Sequence, residues 1–236
     1  IHAGGDPGAA MLASLQPPEQ VPWKSWTAGA RADHEAFVTP PKPHSELSGV
    51  NMSAAISHLS SVLPEDSVVT NGAGNYAVWL HRFYAYKRPR TELAPTCGAM
   101  GYGLPAAIAA KLRHPEKTVV CLAGDGCFLM YPQEIATAAA HGVNLIVVVV
   151  NNRMYVTIRI HQERRYPGRQ SGTTIVNPDF VGMARACGAW AERVEKTEDF
   201  AAAFERARNA GKPAVLELLT DPLQITPAMR VTEMPT

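Results

Sequence analysis

The sequence predicts an α/β fold: a parallel sheet with helices on both faces. Three observations carry this. Short apolar runs alternate with segments of helical periodicity, the pattern of strands joined through crossover helices. The run Val143–Val150 (VNLIVVVV) is apolar on both faces, as a strand covered by helices on two sides must be. Turns rich in Gly or Asn follow Thr70, Ala123 and Val150, and open parallel sheets bind ligands beyond the carboxyl ends of their strands.

In chain order, the first sixteen residues are small and Gly/Ala-rich, too few for a domain. Residues 17–44 hold 6 of the 19 prolines, with Trp23 and Trp26 among them. They read as an extended linker. From Ser45 the pattern becomes regular. Val50, Ile56, Leu59 and Leu63 predict a helix over residues 45–63, ended by Pro64. Ser67–Thr70 reads as a buried strand. NGAGNY turns into a helix running through Tyr84, and Pro105 opens another that stops near Pro115. Lys117–Ala123 is a strand, Pro132–Ala140 a helix, and Val143–Val150 the second central strand. A helix at Asp179–Ala186, a strand at Trp190–Val194, a helix at Glu198–Asn209 and a strand at Ala214–Leu219 complete the series. No internal repeat interrupts it.

Composition narrows the function. The chain has 236 residues, 46% hydrophobic, with 22 Lys+Arg against 21 Asp+Glu. That supports a real core and excludes a disordered chain. A formal net charge of +1 gives no electrostatic footprint for nucleic acid or an anionic membrane. The longest apolar run, Leu145–Val150, is far short of the roughly 20 residues of a membrane span. Cys97, Cys121, Cys127 and Cys187 have no CxxC spacing, against a disulfide scaffold or a zinc knuckle. A reducing, cytoplasmic setting is the expectation.

Two strand ends carry the chemistry. The strand through Ala123 runs into Gly124-Asp125-Gly126, and the strand through Val150 into Asn151-Asn152, with the 24 residues 127–150 between. That separation fits one helix and its return strand. It brings the Asp125 carboxylate and an Asn152 amide oxygen to one sheet edge. Both are hard oxygen ligands of the kind Mg²⁺ takes alongside the phosphates of a substrate or cofactor. Gly124 and Gly126 allow backbone N–H groups close to a phosphate.

The pairing GDG then NN resembles the binding motif of thiamine diphosphate (ThDP) enzymes. Two further stretches match that family: Thr96–Ala107 (TCGAMGYGLPAA), similar to the segment under the aminopyrimidine ring, and Asn71–Tyr76 (NGAGNY), similar to the loop at the diphosphate. The likeness is to the carboxyl-terminal, diphosphate-binding domain of the acetolactate synthase-like branch and runs from about Ser45 to Leu223. It implies that Asp125, Asn152 and the Met154 carbonyl bind Mg²⁺. Gly74, Asn75, Gly126, Cys127 and Tyr155 would surround the diphosphate, with Tyr76, Ala99 and Gly124 in the same cofactor site. The Gly98 carbonyl would accept a hydrogen bond from the cofactor's 4′-amino group, and Met100 would be the wedge under the bent cofactor. Without the flanking glycines, Met100 would read as ordinary core.

The same resemblance implies a 2-oxo-acid decarboxylase or carboligase, a lyase or transferase, whose activating Glu sits on a pyrimidine-binding domain of the same or another chain. No residue here is assigned that role. The expected organisation is residues 1–16 as the tail of a preceding middle domain, 17–44 as a linker and 45–236 as the ThDP and Mg²⁺ domain. The expected assembly is a homodimer or homotetramer, with no nucleic acid or membrane partner. The chain alone would be inactive, and use of FAD depends on the middle domain.

Some positions depart from the branch. Arg153 and Val156 stand where small residues are common, and β-branched Val156 suits a left-handed turn poorly. Tyr131 replaces a smaller polar residue. Two rival readings remain. Gly72–Ala77 followed by Glu92 approximates a dinucleotide fingerprint, although Thr91-Glu92-Leu93 does not clearly end a strand. The chain could also be a ThDP-fold assembly module without catalysis. His81, Arg82 and Tyr84 read as surface or interface residues. The arginine-rich stretch 153–169 reads as a mobile loop or subunit contact.

Overall fold

The computed structural model describes residues 7–16, 21–43 and 47–231. The chain divides into two compact units between Thr39 and Pro40.

The first unit holds α1 (Pro7–Ser14) and α2 (Lys24–Val38). The extended reading of 17–44 is therefore corrected: most of that stretch is a 15-residue helix. Its prolines flank the helix rather than interrupt it, and the interior TAGARADHEAF is rich in good helix formers. Residues 17–20 and 44–46 lie outside the described residues, as do 1–6.

The second unit is built on a six-stranded sheet in the order β2-β1-β3-β4-β6-β5, parallel throughout. Its strands are β1 (Val68–Asn71), β2 (Glu92–Leu93), β3 (Val119–Gly124), β4 (Ile146–Asn151), β5 (Trp190–Val194) and β6 (Ala214–Leu219). Thr91–Leu93, which did not clearly end a strand in the sequence, holds the two-residue β2 beside β1; two residues are too few for a periodic signal. The order also contains a switch: the chain leaves β1 to one side for β2 and returns to its other side for β3. A crevice opens at such a point, beyond the strand ends.

Strand alternation distributes the core between two layers. Val120, Leu122, Val148, Val150, Leu216 and Leu218 pack on one face against α3 (Met52–Val62), α4 (Ala77–Phe83) and α10 (Phe200–Arg208). Val119, Cys121, Ala123, Val147, Val149 and Val215 pack on the other against α5 (Gly103–Arg113), α7 (Glu134–Ala140) and α9 (Phe180–Ala186). The unbroken valines of β4 feed both layers by turns.

Helix ends follow local chemistry more than periodicity. α3 begins at Met52, not Ser45, because Asn51 caps it: its Oδ1 accepts from Ser53 N at 2.9 Å and Ala54 N at 3.3 Å. β4 begins at Ile146, three residues later than the strand expected over Val143–Val150. Elements absent from the sequence reading include α6 (Asp125–Phe128), which starts on the aspartate itself, and α8 (Val156–Arg165). The latter replaces the expected mobile loop at 153–169. A hairpin of β7 (Gln224–Thr226) and β8 (Met229–Arg230) follows β6. Among the described residues no helix is long and apolar enough to cross a membrane.

Candidate functional site

A cavity of about 250 Å³ opens at the carboxyl ends of β1, β3 and β4. The register of β3 against β4 pairs Gly124 with Val150, so the two following segments leave the sheet side by side. Gly124, Asp125, Gly126 and Cys127 line the cavity from the first; Asn152, Met154 and Tyr155 line it from the second. The loop after β1 adds Gly74, Asn75 and Tyr76, and the segment before α5 adds Gly98 and Met100. Of the sequence-predicted residues only Ala99 is absent from the lining. Its carbonyl accepts from Ala73 N at 3.2 Å, so it ties the 98–100 segment to the β1 loop from behind. Met100 is 36% exposed, which removes the core-packing reading. Ala73, Val150, Val156, Thr157 and Ile158 also line the cavity. Sequence reasoning missed the last three because helix α8 was not foreseen.

Asp125 is 3% exposed. Its Oδ1 accepts from Gly126 N at 2.8 Å. Its Oδ2 accepts from Arg153 N at 2.8 Å and from Asn177 Nδ2 at 2.7 Å. Burial pushes the carboxyl above its ordinary value, and these hydrogen bonds, by favouring the charged form, pull the other way. Asn152 Oδ1 accepts from Met154 N at 3.1 Å, and the Met154 carbonyl from Val156 N at 3.0 Å. The turn is strapped from outside: Tyr155 N donates to Thr173 O and Ile175 N to Arg153 O, each at 2.8 Å. The left-handed residue in this turn is Arg153, with φ 57°, whereas Val156 opens α8 and is buried. The concern over Val156 is thus corrected, and Arg153 holds the strained conformation.

The glycines make the cradle. A Cβ on Gly126 would lie 2.5 Å from Tyr155 Cε1, and one on Gly124 would lie 2.7 Å from Tyr76 Cδ1. Tyr76 itself is fixed: its hydroxyl accepts from Gly72 N at 2.9 Å and donates to Cys127 Sγ at 3.4 Å. Cys127 Sγ also accepts from Gly101 N at 3.1 Å. Asn75 Nδ2 donates to the Ile225 carbonyl, joining the β1 loop to the hairpin that the sequence left uninterpreted. Residues 232–236 lie outside the described residues.

The donor set suits a hard divalent cation shared with a phosphate-bearing ligand. Asp125, Asn152 and Met154 all line the cavity, and the groups they can offer, a carboxylate, an amide oxygen and a backbone carbonyl, are all oxygens. Among the described residues no group of three or more His, Cys, Asp or Glu gathers as a metal site. A hard cation held by these three groups would take the rest of its shell from water or ligand oxygens.

The other candidates lie elsewhere. His81 Nδ1 meets Glu92 Oε1 at 3.2 Å, both side chains part-exposed, and neither residue lines the cavity. Tyr131 is an exposed side chain against Gly101.

Comparison with known proteins agrees with this geometry. Residues 72–218 match the family model described as thiamine pyrophosphate enzyme, C-terminal TPP binding domain. The chain is 31% identical over 222 residues to the acetolactate synthase isozyme 2 large subunit of Escherichia coli K12, covering 93% of this chain and 40% of that protein. It is 36% identical over 171 residues to the acetolactate synthase large subunit of Corynebacterium glutamicum, covering 70% of this chain and 27% of that one. The chain thus spans well under half of these relatives. Among solved structures it superposes on the thiamine diphosphate-dependent 4-hydroxybenzoylformate decarboxylase of Rhodococcus jostii RHA1 with a TM-score of 0.71 at 25% identity, over 77% of this chain and 34% of that one. The fold, the motif order and the family match agree: the chain belongs to the thiamine pyrophosphate enzymes and carries their C-terminal TPP-binding domain.

Proposed function

We propose that this chain is the cofactor-binding portion of a ThDP- and Mg²⁺-dependent enzyme of the acetolactate synthase-like branch, acting on 2-oxo acids as a carboligase or decarboxylase. The observation that carries the proposal is the convergence of Asp125, Asn152 and Met154 with Gly98, Met100 and the glycine cradle on one cavity. In this reading Asp125, the Asn152 side chain and the Met154 carbonyl hold Mg²⁺. Gly74, Asn75, Gly126, Cys127 and Tyr155 enclose the diphosphate, helped by backbone N–H groups at the start of α6. The Gly98 carbonyl orients the aminopyrimidine, and Met100, apolar and at the cavity edge, keeps the two rings apart without a competing polar contact. Bound ThDP supplies the electron sink for cleaving or forming a bond next to a carbonyl carbon. The chain's own residues bind, orient and shield; Ile158 and Val156 add apolar wall on the α8 side.

No residue of this chain is proposed to activate the cofactor. That role goes to a pyrimidine-binding domain on the same or another chain, within a homodimer or homotetramer in the cytoplasm. Residues 1–16 then belong to a preceding domain, and 17–44, α2 included, connect it to the cofactor domain.

The test is calorimetric titration of the chain with ThDP, with and without Mg²⁺. Binding that needs Mg²⁺ and is lost in Asp125→Ala is the expected result. Wild-type chain that binds no ThDP at any Mg²⁺ concentration would overturn the reading. Turnover of pyruvate or benzoylformate by this chain alone would refute the need for a partner domain.

A further inference from the structure

A ring of polar contacts leads from Asp125 through the neighbouring strands and back. Asn177 Nδ2 donates to Asp125 Oδ2 at 2.7 Å and to Asn151 Oδ1 at 2.8 Å. Asn151 Nδ2 donates to Glu217 Oε1 at 2.6 Å. Glu217 Oε2 accepts from Arg193 Nε at 2.8 Å, and Arg193 reaches Asp179 Oδ1 at 3.3 Å. Asp179 lies two residues after Asn177, so the chain itself closes the ring. The members come from the start of α6, the end of β4, from within β5 and β6, and from the segment before α9. Glu217 is 1% exposed and Asn151 4% exposed, so these are built contacts away from water.

The ring settles which way each amide points. Arg193 can only donate, so Glu217 must accept from it. Glu217 then takes the Asn151 amide hydrogen, which leaves Asn151 Oδ1 turned toward Asn177. Turning the Asn177 amide over would set oxygen against oxygen at both Asp125 and Asn151. The part-exposed Arg193, paired with the buried Glu217, thus fixes, three contacts away, the donor that faces Asp125.

The consequence lies in lone pairs. A carboxylate oxygen has two acceptor directions. Asp125 Oδ2 has both filled, by Arg153 N and Asn177 Nδ2. Oδ1 has one filled, by Gly126 N. We propose that Asn177 is a positioning residue that occupies Oδ2 and leaves Oδ1 of Asp125 as the oxygen presented to the metal, with Asn151, Glu217 and Arg193 holding Asn177 in that orientation. This rests on the Mg²⁺ and ThDP reading of the site. Glu217 had a signal in the sequence, a lone ionisable residue in the apolar strand AVLELL; Asn177 had none.

The test compares wild type with Asn177→Leu, which keeps side-chain bulk and removes the donor, and with Glu217→Gln, remote from the metal. Mg²⁺ affinity is measured by calorimetry at saturating ThDP, and the metal environment by the EPR line shape of Mn²⁺ in its place. Loss of a partner to a metal-binding carboxylate lowers metal affinity by about 10- to 100-fold, and that is the expectation for Asn177→Leu, with an altered Mn²⁺ spectrum. Glu217→Gln should shift both in the same direction by less. A purely structural role would lower the melting midpoint and leave the Mn²⁺ spectrum of the folded variant unchanged. If Asn177→Leu does not fold, Glu217→Gln decides by the same two readouts. Unchanged affinity and spectrum in folded variants overturn the positioning role while the metal site stands. Wild type without Mg²⁺-dependent ThDP binding overturns the site and this role together.

Discussion

Arg153 donates its backbone N–H to Asp125 Oδ2 at 2.8 Å, across 28 residues of sequence, from a left-handed conformation with φ 57°. The two facts are connected. The left-handed φ redirects the chain after Arg153, so residues from Met154 on leave the strand direction while the Arg153 amide stays on Asp125. The turn also sets Asn152 Oδ1 against Met154 N, an Asx-type closure. One strained residue therefore arranges three groups of the candidate metal site.

An L-residue in this conformation costs ~1–2 kcal/mol, and glycine avoids that while giving back ~0.5–1 kcal/mol of backbone entropy. Arg153→Gly is expected to raise stability by ~0.5–1 kcal/mol and keep Mg²⁺-dependent ThDP binding. Arg153→Val, β-branched at the same φ, is expected to lose at least ~1 kcal/mol. Urea unfolding of the three proteins checks this. A glycine variant less stable than wild type would mean that the Arg153 side chain outweighs its backbone strain.

Gly126 and Gly98 separate steric from conformational demands. A Cβ on Gly126 meets the Tyr155 ring at 2.5 Å inside the cavity, whereas one on Gly98 meets nothing within 4 Å but needs φ 68°. Gly126→Ala should fold and lose ThDP affinity by an order of magnitude or more, as Tyr155 is pushed into the cofactor space. Gly98→Ala should cost ~1–2 kcal/mol of stability with a smaller effect on affinity. Calorimetry and urea unfolding on both variants test the contrast, and equal affinity losses would contradict it.

The sheet and the site were legible to different depths. Periodicity found the five longer strands of the sheet because each supplies alternate residues to two apolar layers. It missed β2, whose two residues are too few to show a period. GDG and NN were visible only as a pair: either alone reads as an ordinary turn, but one crossover's separation brings them to the same sheet edge. Helix α8 was hidden: its arginines and glutamate make a polar segment, and the contacts of its last turn, Gln162 with Ser171 and Glu163 with Gly168 N, are to residues beyond the helix. Asn177 was hidden for a related reason. It stands in an ordinary loop sequence, NPD, and acquires its place only when the sheet brings Asp125 and Asn151 together.

Alkaline instability follows from burial. Cys121 is pushed from its ordinary 9.0 up to about 12, and Tyr76 and Tyr86 rise above their ordinary 10.0, all chiefly because burial disfavours the anion. In the unfolded chain these groups ionise at their ordinary values; in the folded chain they stay neutral. Their contribution is complete below about pH 9 and is lost as pH rises through the folded values, at ~1.4 kcal/mol per group per pH unit. Unfolding should therefore set in between about pH 10 and 12, with tyrosinate absorbance rising together with loss of circular dichroism. The Tyr86 hydroxyl is buried with no hydrogen-bond partner among the described residues. Tyr86→Phe should thus be neutral or stabilising at neutral pH and should move the alkaline midpoint upward. A downward shift would count against this origin.

Tyr76 joins the two halves of the cradle, and its ring and hydroxyl can be tested apart. The ring limits both Gly74 and Gly124, each at under 3 Å from a hypothetical Cβ. The hydroxyl satisfies Gly72 N and reaches Cys127 Sγ. Tyr76→Phe keeps the ring and leaves a buried backbone N–H without its acceptor, at a cost of ~1–3 kcal/mol. Cavity shape should persist, so ThDP affinity should fall by less than tenfold. Tyr76→Ala removes the ring as well, and truncation of a large buried aromatic costs ~3–5 kcal/mol. It also opens the wall beside the proposed diphosphate, so affinity should collapse even in the folded fraction. Urea unfolding gives the stability of each variant and calorimetry its affinity. Wild-type stability in Tyr76→Phe would show that water replaces the hydroxyl at Gly72. Affinity as poor in Tyr76→Phe as in Tyr76→Ala would show that the hydroxyl, not the ring, shapes the cradle.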